Sequence, residues 1–350
     1  MTHYAVRETI AELDLFMAKR ENHQTFIGRY PFVTVETEEC SFRCPDNKEA
    51  PEMHTKAKPM PVEDLRQMQM IHLEMLLEVD RICRKRGIKY AIIGGTLLGA
   101  VRHKGFIPWD DDLDVAMLRS EYDRFCKACE EDLDTARFFL QTHENTPGYR
   151  WGYGKLRRVG TEFVREGQEH MDYPTGVWID TGVWIDIFPK DSVPDSPLLR
   201  PLHNLACFAI RKILWSAVGR KNDPNAFVRL VYEALYRIPK KTVFSFYTWL
   251  VSHFDAKNTE AVRILTFPVP GHGSRGYFSR AWFEELIELE FERFRFPAPK
   301  DYHEYLTFCF GNYLELPPEE ERKIHPCSSY KLIGIAREDL RQEPGGGWEQ

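Results

Sequence analysis

The sequence lacks a long apolar run and lacks an excess of basic residues. No stretch of about 18 consecutive apolar residues occurs, so no membrane-spanning helix is predicted. The opening segment MTHYAVRETIAELDLFMAKRE interrupts its apolar positions with acids, which predicts no secretory signal. With 47 Lys and Arg against 53 Asp and Glu, the net charge of −6 argues against bulk nucleic-acid binding. We therefore expect a cytoplasmic globular protein without a nucleic-acid partner.

The chain of 350 residues also lacks a dense cluster of cysteines. The 8 cysteines are spread along the sequence, which favours free, buried thiols in a reducing compartment over a disulfide framework. Cys40 with Cys44, and Cys126 with Cys129, form two short pairs that are far apart in sequence. A structural zinc site needs four ligands, so neither pair predicts one by itself.

Four regions are predicted from changes in composition and periodicity. Residues 1–61 comprise an amphipathic helix over 1–22 and an extended lead-in. Residues 62–196 alternate helices and strands, which predicts an α/β (α+β) core with a mixed sheet. Residues 197–255 form a basic helical insertion, and residues 256–350 complete the core with a helical region and a disordered tail, GGGWEQ. Within the core, a helix is expected from Val62 to Gly87, with strands at 89–93, 112–117, 138–142, 153–158 and 177–188.

The insertion differs from the rest of an acidic protein. It carries nine Lys and Arg residues against Asp223, Glu233 and Asp255. One interpretation is a helical subdomain with a solvated basic face. The other is a surface for peripheral contact with a membrane or for an anionic acceptor.

The strongest chemical signal is Gly94-Gly95-Thr96 followed by Asp112 and Asp114. A glycine pair between a strand and a short helix lets a phosphate approach the backbone and the free N–H groups of the helix, and Thr96 adds a hydroxyl donor. If 112–117 is one strand, its alternation places Asp112 and Asp114 on one face. Two such carboxylates favour a hard divalent cation such as Mg²⁺ or Mn²⁺. The alternative is a solvated acid cluster or a calcium-type loop.

A repeated hexapeptide, TGVWID, occupies 175–180 and 181–186. Its even period would place Asp180 and Asp186 on the same face of a continuous strand, so either residue can supply a third carboxylate.

The stretch YAIIGGTLLGAVRHKGFIPWDDDLDVAM closely resembles the signature of the LicD family, phosphocholine transferases related to fukutin and fukutin-related protein. The segments KLR at 155–157, WIDIFP at 184–189 and FGNY at 310–313 resemble that family as well. The resemblance implies a polymerase-β-like nucleotidyltransferase fold and a CDP-linked donor, typically CDP-choline, with CDP-ribitol or CDP-glycerol in relatives. It implies a glycan or glycolipid acceptor. Asp112, Asp114 and Asp186 would be the catalytic metal ligands, Asp186 being favoured over Asp180 because the family's IFPKD follows it.

Several cationic side chains are candidates for phosphate binding. Arg102 and His103 flank the acids, with a solvated loop as the alternative, and Lys155 and Arg157 alternate on one strand. His325 is interpreted as a structural or rim residue.

Two rival functions share these residues. A nucleotidyltransferase would move NMP from an NTP to a small molecule, and a noncatalytic binding protein would retain the fold alone. CMP release from CDP-choline, against pyrophosphate release from NTPs, distinguishes the two enzymes.

Overall fold

The computed structural model describes residues 60–169, 171, 182–255, 258–270, 272, 276–322, 324–336 and 340–342. The predictions that lie outside the described residues are the helix over 1–22, the lead-in up to 59, the pair Cys40 and Cys44, the first hexapeptide copy with Asp180, and the tail GGGWEQ.

Helices and strands alternate through the first half of the described chain. The helices are α1 (Val62–Arg86), α2 (Gly94–His103), α3 (Arg119–Asp132), α4 (Arg200–Asn222), α5 (Ala226–Tyr236), α6 (Lys240–Asp255), α7 (Ala281–Glu284) and α8 (Tyr302–Phe310), with a 3-10 turn at Glu319–Glu321. The strands are β1 (Ala91–Ile92), β2 (Asp114–Leu118), β3 (Phe138–Gln141), β4 (Gly154–Arg158), β5 (Glu162–Arg165), β6 (Trp184–Val193), β7 (Ala261–Arg263), β8 (Phe278–Ser279), β9 (Leu286–Phe291), β10 (Phe294–Pro299) and β11 (Cys327–Lys331).

One mixed sheet organises this part of the chain. Its strand order is β1-β2-β6-β4-β3, and β7 pairs with the C-terminal half of β6 and with β8. Strands β2 and β6 run parallel, whereas the other pairs in this sheet are antiparallel. The predicted α+β core with a mixed sheet is confirmed.

The first helix covers this sheet with one apolar face. Met68, Ile71, Leu76 and Val79 recur at helical spacing, are fully buried and share a hydrophobic core with the sheet strands. The helix ends at Gly87, whose φ of 59° is the left-handed conformation that glycine adopts without steric cost. The predicted helix and its stop are confirmed.

The insertion 197–255 forms three helices, as predicted. It has a small core of its own, in which Cys207, Ile210 and Leu214 of α4 pack with Phe244 and Leu250 of α6. The C-terminal region differs from the prediction of a helical region. It contains the helix α8, but also the hairpin β9–β10, and its strand β11 pairs with β5 of the core.

Each cysteine that the structure describes is unpaired, in agreement with the prediction. Burial raises the pKa of the Cys83 thiol well above its ordinary value, so this thiol is un-ionised and unreactive at neutral pH. Five are buried and Cys126 is half-buried; the buried five are Cys83, Cys129, Cys207, Cys309 and Cys327.

Candidate active site

The two glycines of the motif lie where β1 ends and α2 begins. Gly94 has a φ of +57°, a conformation that side chains with a Cβ atom rarely adopt. A Cβ atom on Gly94 would lie 3.3 Å from Asp114 Oδ2, and one on Gly95 would lie 2.7 Å from Asp110 Oδ2. The glycines thus give two carboxylates room against the backbone. The predicted approach of a phosphate to Gly94 and Gly95 stays a prediction.

Thr96 fixes the start of the neighbouring strand. Its buried Oγ1 accepts a hydrogen bond from the Asp114 N–H at 2.9 Å, and the Ile93 N–H donates to Asp114 O at 3.1 Å. Strand β2 therefore begins at Asp114, and the prediction that Asp112 belongs to the same strand is wrong. Asp112 lies in the preceding segment, so strand alternation does not set its direction. The Thr96 hydroxyl can still donate its proton, and its predicted contact with a phosphate stays a prediction.

The three predicted carboxylates lie close enough to one another to interact electrostatically. Asp114 of β2 is the register partner of Asp186 on the parallel strand β6. Burial raises the pKa of Asp114 well above its ordinary value, and the charges of Asp112 and Asp186 raise it further. Burial also raises the pKa of Asp112, although His325 and Arg165 oppose that shift. The site thus concentrates negative charge that favours a bound cation or a proton.

Lys155 neutralises one of these acids directly. It is the register partner of Asp186 across β4 and β6, and its Nζ donates to Asp186 Oδ1 at 2.5 Å. Burial lowers the pKa of Lys155 to about 8, even though Asp186 acts to raise it. Its side chain also lies on the face of Trp184, 4.2 Å from the ring centre. Phosphate binding by Lys155 stays a prediction.

Arg165 is a second cation at the site and was not predicted. Its Nη2 lies 3.7 Å from Asp112 Oδ2, and its Nε is buried without a hydrogen-bond partner in the described part of the chain. Arg165 ends β5, which pairs with the C-terminal strand β11. A single arginine on a polar edge strand carries no local signal, so only the fold reveals its position.

Asp111 and His325 form a buried pair beside the acids. His325 Nδ1 lies 2.7 Å from Asp111 Oδ1, and the His325 backbone N–H donates to the same carboxylate at 3.2 Å. Burial acts to raise the pKa of Asp111, but the hydrogen bonds and charge of His325 lower it below the ordinary value. His325 thus ties the C-terminal segment to the acidic motif, which agrees with its structural interpretation.

His325→Ala is expected to lower the free energy of unfolding by about 1–3 kcal/mol, because it removes a partner from a buried carboxylate. Chemical denaturation at neutral pH measures this loss, and the exposed His253→Ala is the matched control. The pKa of Asp111 is lowered in the folded state, so Asp111 stabilises the fold at pH values above the ordinary carboxyl pKa. This stabilisation is lost as the pH falls through the lowered pKa. Equal stability of both variants would contradict the structural role.

The remaining phosphate candidates are held by protein groups. Arg102 donates to Tyr313 O at 3.0 Å and to His103 Nε2 at 3.0 Å. Arg157 is fully buried and donates to Gln141 Oε1 at 2.6 Å and to Gly182 O at 2.7 Å. In these contacts, Arg102 and Arg157 donate to protein groups through N–H donors that the sequence analysis predicts for phosphate binding. Phosphate binding by Arg102, His103 and Arg157 stays a prediction.

The donor set suits the implied metal. Asp112, Asp114 and Asp186 offer carboxylate oxygens only, the ligands that Mg²⁺ and Mn²⁺ prefer. Within the described ranges, however, no three His, Cys, Asp or Glu side chains are already arranged as a metal-binding group. Instead, Lys155 Nζ donates a hydrogen bond to Asp186 Oδ1. Binding of Mg²⁺ or Mn²⁺ by these three acids stays a prediction.

Sequence reasoning also missed Asp110 and His72. Burial raises the pKa of Asp110 well above its ordinary value, with Asp112 next in effect, so Asp110 adds a fourth acid at the cluster. His72 of α1 is buried, its Nδ1 has no hydrogen-bond partner in the described residues, and burial lowers its pKa to about 4. The adjacency of Asp110 to the motif was a usable signal. His72 lies on a helix face that predicts only a core position.

The second hexapeptide copy leads into β6 at Trp184, and this copy places Asp186 opposite Asp114. Asp180 lies outside the described residues. The register of Asp186 agrees with the preference for it.

A mixed sheet with in-register aspartates on parallel strands, next to a glycine-led helix, defines a core of the nucleotidyltransferase type. A family model described as LicD/FKTN/FKRP, nucleotidyltransferase domain, matches residues 87–206. Lipopolysaccharide cholinephosphotransferase LicD of Haemophilus influenzae is 30% identical over 271 residues, covering 75% of this chain and 95% of that protein. The chain belongs to the LicD family, as the sequence signature predicts.

Two uncharacterized proteins show a shorter similarity. Those of Rickettsia prowazekii and Rickettsia typhi are each 46% identical over 48 residues, which cover 14% of this chain. The aligned part makes up 18% and 16% of those proteins, so these matches add nothing about the whole chain.

Proposed function

We propose that this chain is a metal-dependent transferase that moves a phospho-alcohol, most typically phosphocholine, from a CDP-linked donor to a sugar hydroxyl of a glycan or glycolipid. The observation that carries the proposal is the register of Asp114 opposite Asp186 on parallel strands, next to the Gly94–Gly95 turn. It is supported by similarity over 95% of the length of a protein named as a lipopolysaccharide cholinephosphotransferase. A cytoplasmic location stays a prediction.

In this proposal, Asp112, Asp114 and Asp186 hold Mg²⁺ or Mn²⁺. The ion supplies positive charge that stabilises the diphosphate and the leaving CMP. The acceptor oxygen bonds to the phosphorus of the phospho-alcohol, the bond from that phosphorus to CMP breaks, and the hydroxyl proton passes to a carboxylate. Asp186 is the proposed base, because its register places it opposite Asp114 on the neighbouring parallel strand.

The cationic side chains have a proposed role on the donor. Lys155 and Arg165 lie at the acids and are the nearest protein groups for a phosphate that enters with its cation. Both are buried or half-buried, so their attraction for phosphate is weakly screened by water.

A donor screen tests the proposal. The full chain is incubated with Mg²⁺ or Mn²⁺ and, separately, with CDP-choline, CDP-ribitol, CDP-glycerol and the NTPs, and products are followed by chromatography. CMP release from a CDP donor, increased by a glycan acceptor and abolished by chelation, is the expected result. Pyrophosphate release from an NTP would instead indicate a nucleotidyltransferase. No turnover, with metal titrations identical for the wild type and for Asp112→Asn combined with Asp114→Asn, would indicate a noncatalytic protein.

A further inference from the structure

Exposed apolar side chains are concentrated in the helical insertion 197–255. Single exposed hydrophobic residues are normal on a protein surface, but a concentration of them marks an interaction site. Of 14 large exposed hydrophobic residues in the described part of the chain, nine lie in this segment: Leu198, Leu199, Leu202, Leu205, Phe227, Leu230, Val231, Phe246 and Trp249.

The exposed residues follow helical spacing on each helix. Leu202 and Leu205 are three residues apart in the first turns of α4, so they share one side of that helix, and Leu198 lies just before it. On α6, the rings of Phe246 and Trp249 stack with centroids 5.7 Å apart, and Trp249 is 55% exposed. The opposite side of α6 packs in the core of the insertion. Each helix is therefore amphipathic, with part of its apolar surface facing outwards.

The same segment is basic within an acidic protein. Its nine Lys and Arg residues against three acids give it a formal charge of +6, whereas the whole chain carries −6. Lys221, Arg237 and Lys241 are among the exposed members. No helix of the described residues is long and apolar enough to cross a membrane. Basic amphipathic helices with exposed aromatic residues are typical of segments that lie flat on anionic lipid.

The insertion is joined to the candidate active site through the segment before β4. Tyr247 of α6 donates its hydroxyl proton to Gly152 O at 3.0 Å, and Lys240 Nζ donates to Tyr149 O at 3.2 Å. Strand β4 begins at Gly154 and carries Lys155, the partner of Asp186. A surface bound by the insertion is thus held at a fixed position relative to the acids.

We propose that the insertion binds the surface of an anionic membrane, with Phe246, Trp249, Leu202 and Leu205 in the interfacial layer and the basic residues against lipid headgroups. The membrane is favoured over a protein partner by the combination of excess positive charge with apolar residues on three separate helices. The inference extends the proposed function, since a lipid-linked acceptor would be presented at that surface. Vesicle binding itself requires neither donor nor turnover.

Vesicle flotation of the full chain tests the inference. Wild-type protein should bind vesicles of phosphatidylcholine with phosphatidylglycerol, and binding should weaken as salt shortens the Debye length from about 10 Å at 0.1 M to about 3 Å at 1 M. Phe246→Glu with Trp249→Glu should weaken vesicle binding about a hundredfold. The variant lacks the two aromatic side chains that would transfer from water into the membrane interface. Lys241→Glu with Arg237→Glu should weaken it in low salt and have little effect in high salt. Val62→Glu, at another exposed apolar position, is the matched control.

Three outcomes would overturn the inference. They are no binding to anionic vesicles, equal binding to vesicles of phosphatidylcholine alone, and wild-type binding by Phe246→Glu with Trp249→Glu. Sedimentation velocity addresses the competing occupant: a dimer that this double variant abolishes would assign the face to a second copy of the chain. A protein that releases CMP but ignores vesicles contradicts only this inference, and one that binds vesicles but cleaves no donor contradicts only the proposed function.

Discussion

Asp114→Asn is expected to reduce turnover of the CDP-linked donor by about a thousandfold, because about 4 kcal/mol of charge stabilisation depends on the metal ligands. Asparagine keeps the shape of the side chain and leaves the backbone hydrogen bond from Asp114 to Thr96 in place. It also removes the repulsion that Asp114 experiences from Asp112 and Asp186. The thermal unfolding temperature should therefore be unchanged or higher.

The measurements are the rate of CMP release, Mn²⁺ binding by calorimetry, and circular dichroism during heating. Asp195→Asn is the matched control, since Asp195 is exposed and lies outside the acid cluster. Full activity in Asp114→Asn would refute the assignment of the site. If Asp114→Asn lost its fold together with its activity, the role of Asp114 would be structural. That result would contradict the expected stability of the variant.

Arg119→Met is expected to destabilise the fold by about 3–5 kcal/mol, because it leaves a buried carboxylate without its counter-charge. Arg119 Nε donates to Asp191 Oδ1 at 2.6 Å, and Nη2 donates to the Tyr247 hydroxyl at 2.8 Å. Asp191 is completely buried, and its Oδ2 has no hydrogen-bond partner within the described ranges. The arginine therefore connects the sheet of the core to helix α6 of the insertion.

Chemical denaturation measures the loss, and Arg124→Met on the same helix is the control. Arg124 is half-exposed and pairs with Glu121 at the surface, so its removal should cost at most about 1 kcal/mol. Burial raises the pKa of Asp191 even in the presence of Arg119, and removing the arginine should raise it further. A carboxyl whose pKa is raised in the folded state contributes stability at low pH that is lost as the pH rises. Acidification should therefore restore the free energy of unfolding of Arg119→Met. A loss independent of pH would contradict this cause.

Much of the fold was predictable because local patterns specify it. The apolar spacing in α1 and the stop at Gly87 gave the first helix, and the three helices of the insertion followed from their composition. The start of β2 was misplaced by two residues, because Thr96 sets it through a hydrogen bond that no local pattern shows. The hairpin β9–β10 was not predicted, because residues 256–350 were assigned to completing the core with a helical region and no individual strands were placed there.

The candidate site was predictable only where its residues lie close together in sequence. The glycine pair and the aspartates of the motif were recognised, and Asp110 lay among them. Arg165 was missed, because it reaches Asp112 only when segments far apart in the chain pack together. The partner of His325, Asp111, was missed for the same reason. Arg157 has the residue type of a phosphate ligand, but its hydrogen bonds to Gln141 and Gly182 hold it in the interior.

The sequence by itself determined the family, the alternation of helices and strands, and the type of chemistry, because glycine, aspartate and helical periodicity act over a few residues. Only the tertiary structure decided that Asp186 lies opposite Asp114, that Lys155 and Arg165 neutralise the acids, and that the apolar side chains of the insertion face outwards. Strand register and surface exposure arise from contacts between segments far apart in the chain, and those contacts leave no repeating signal in the order of residues.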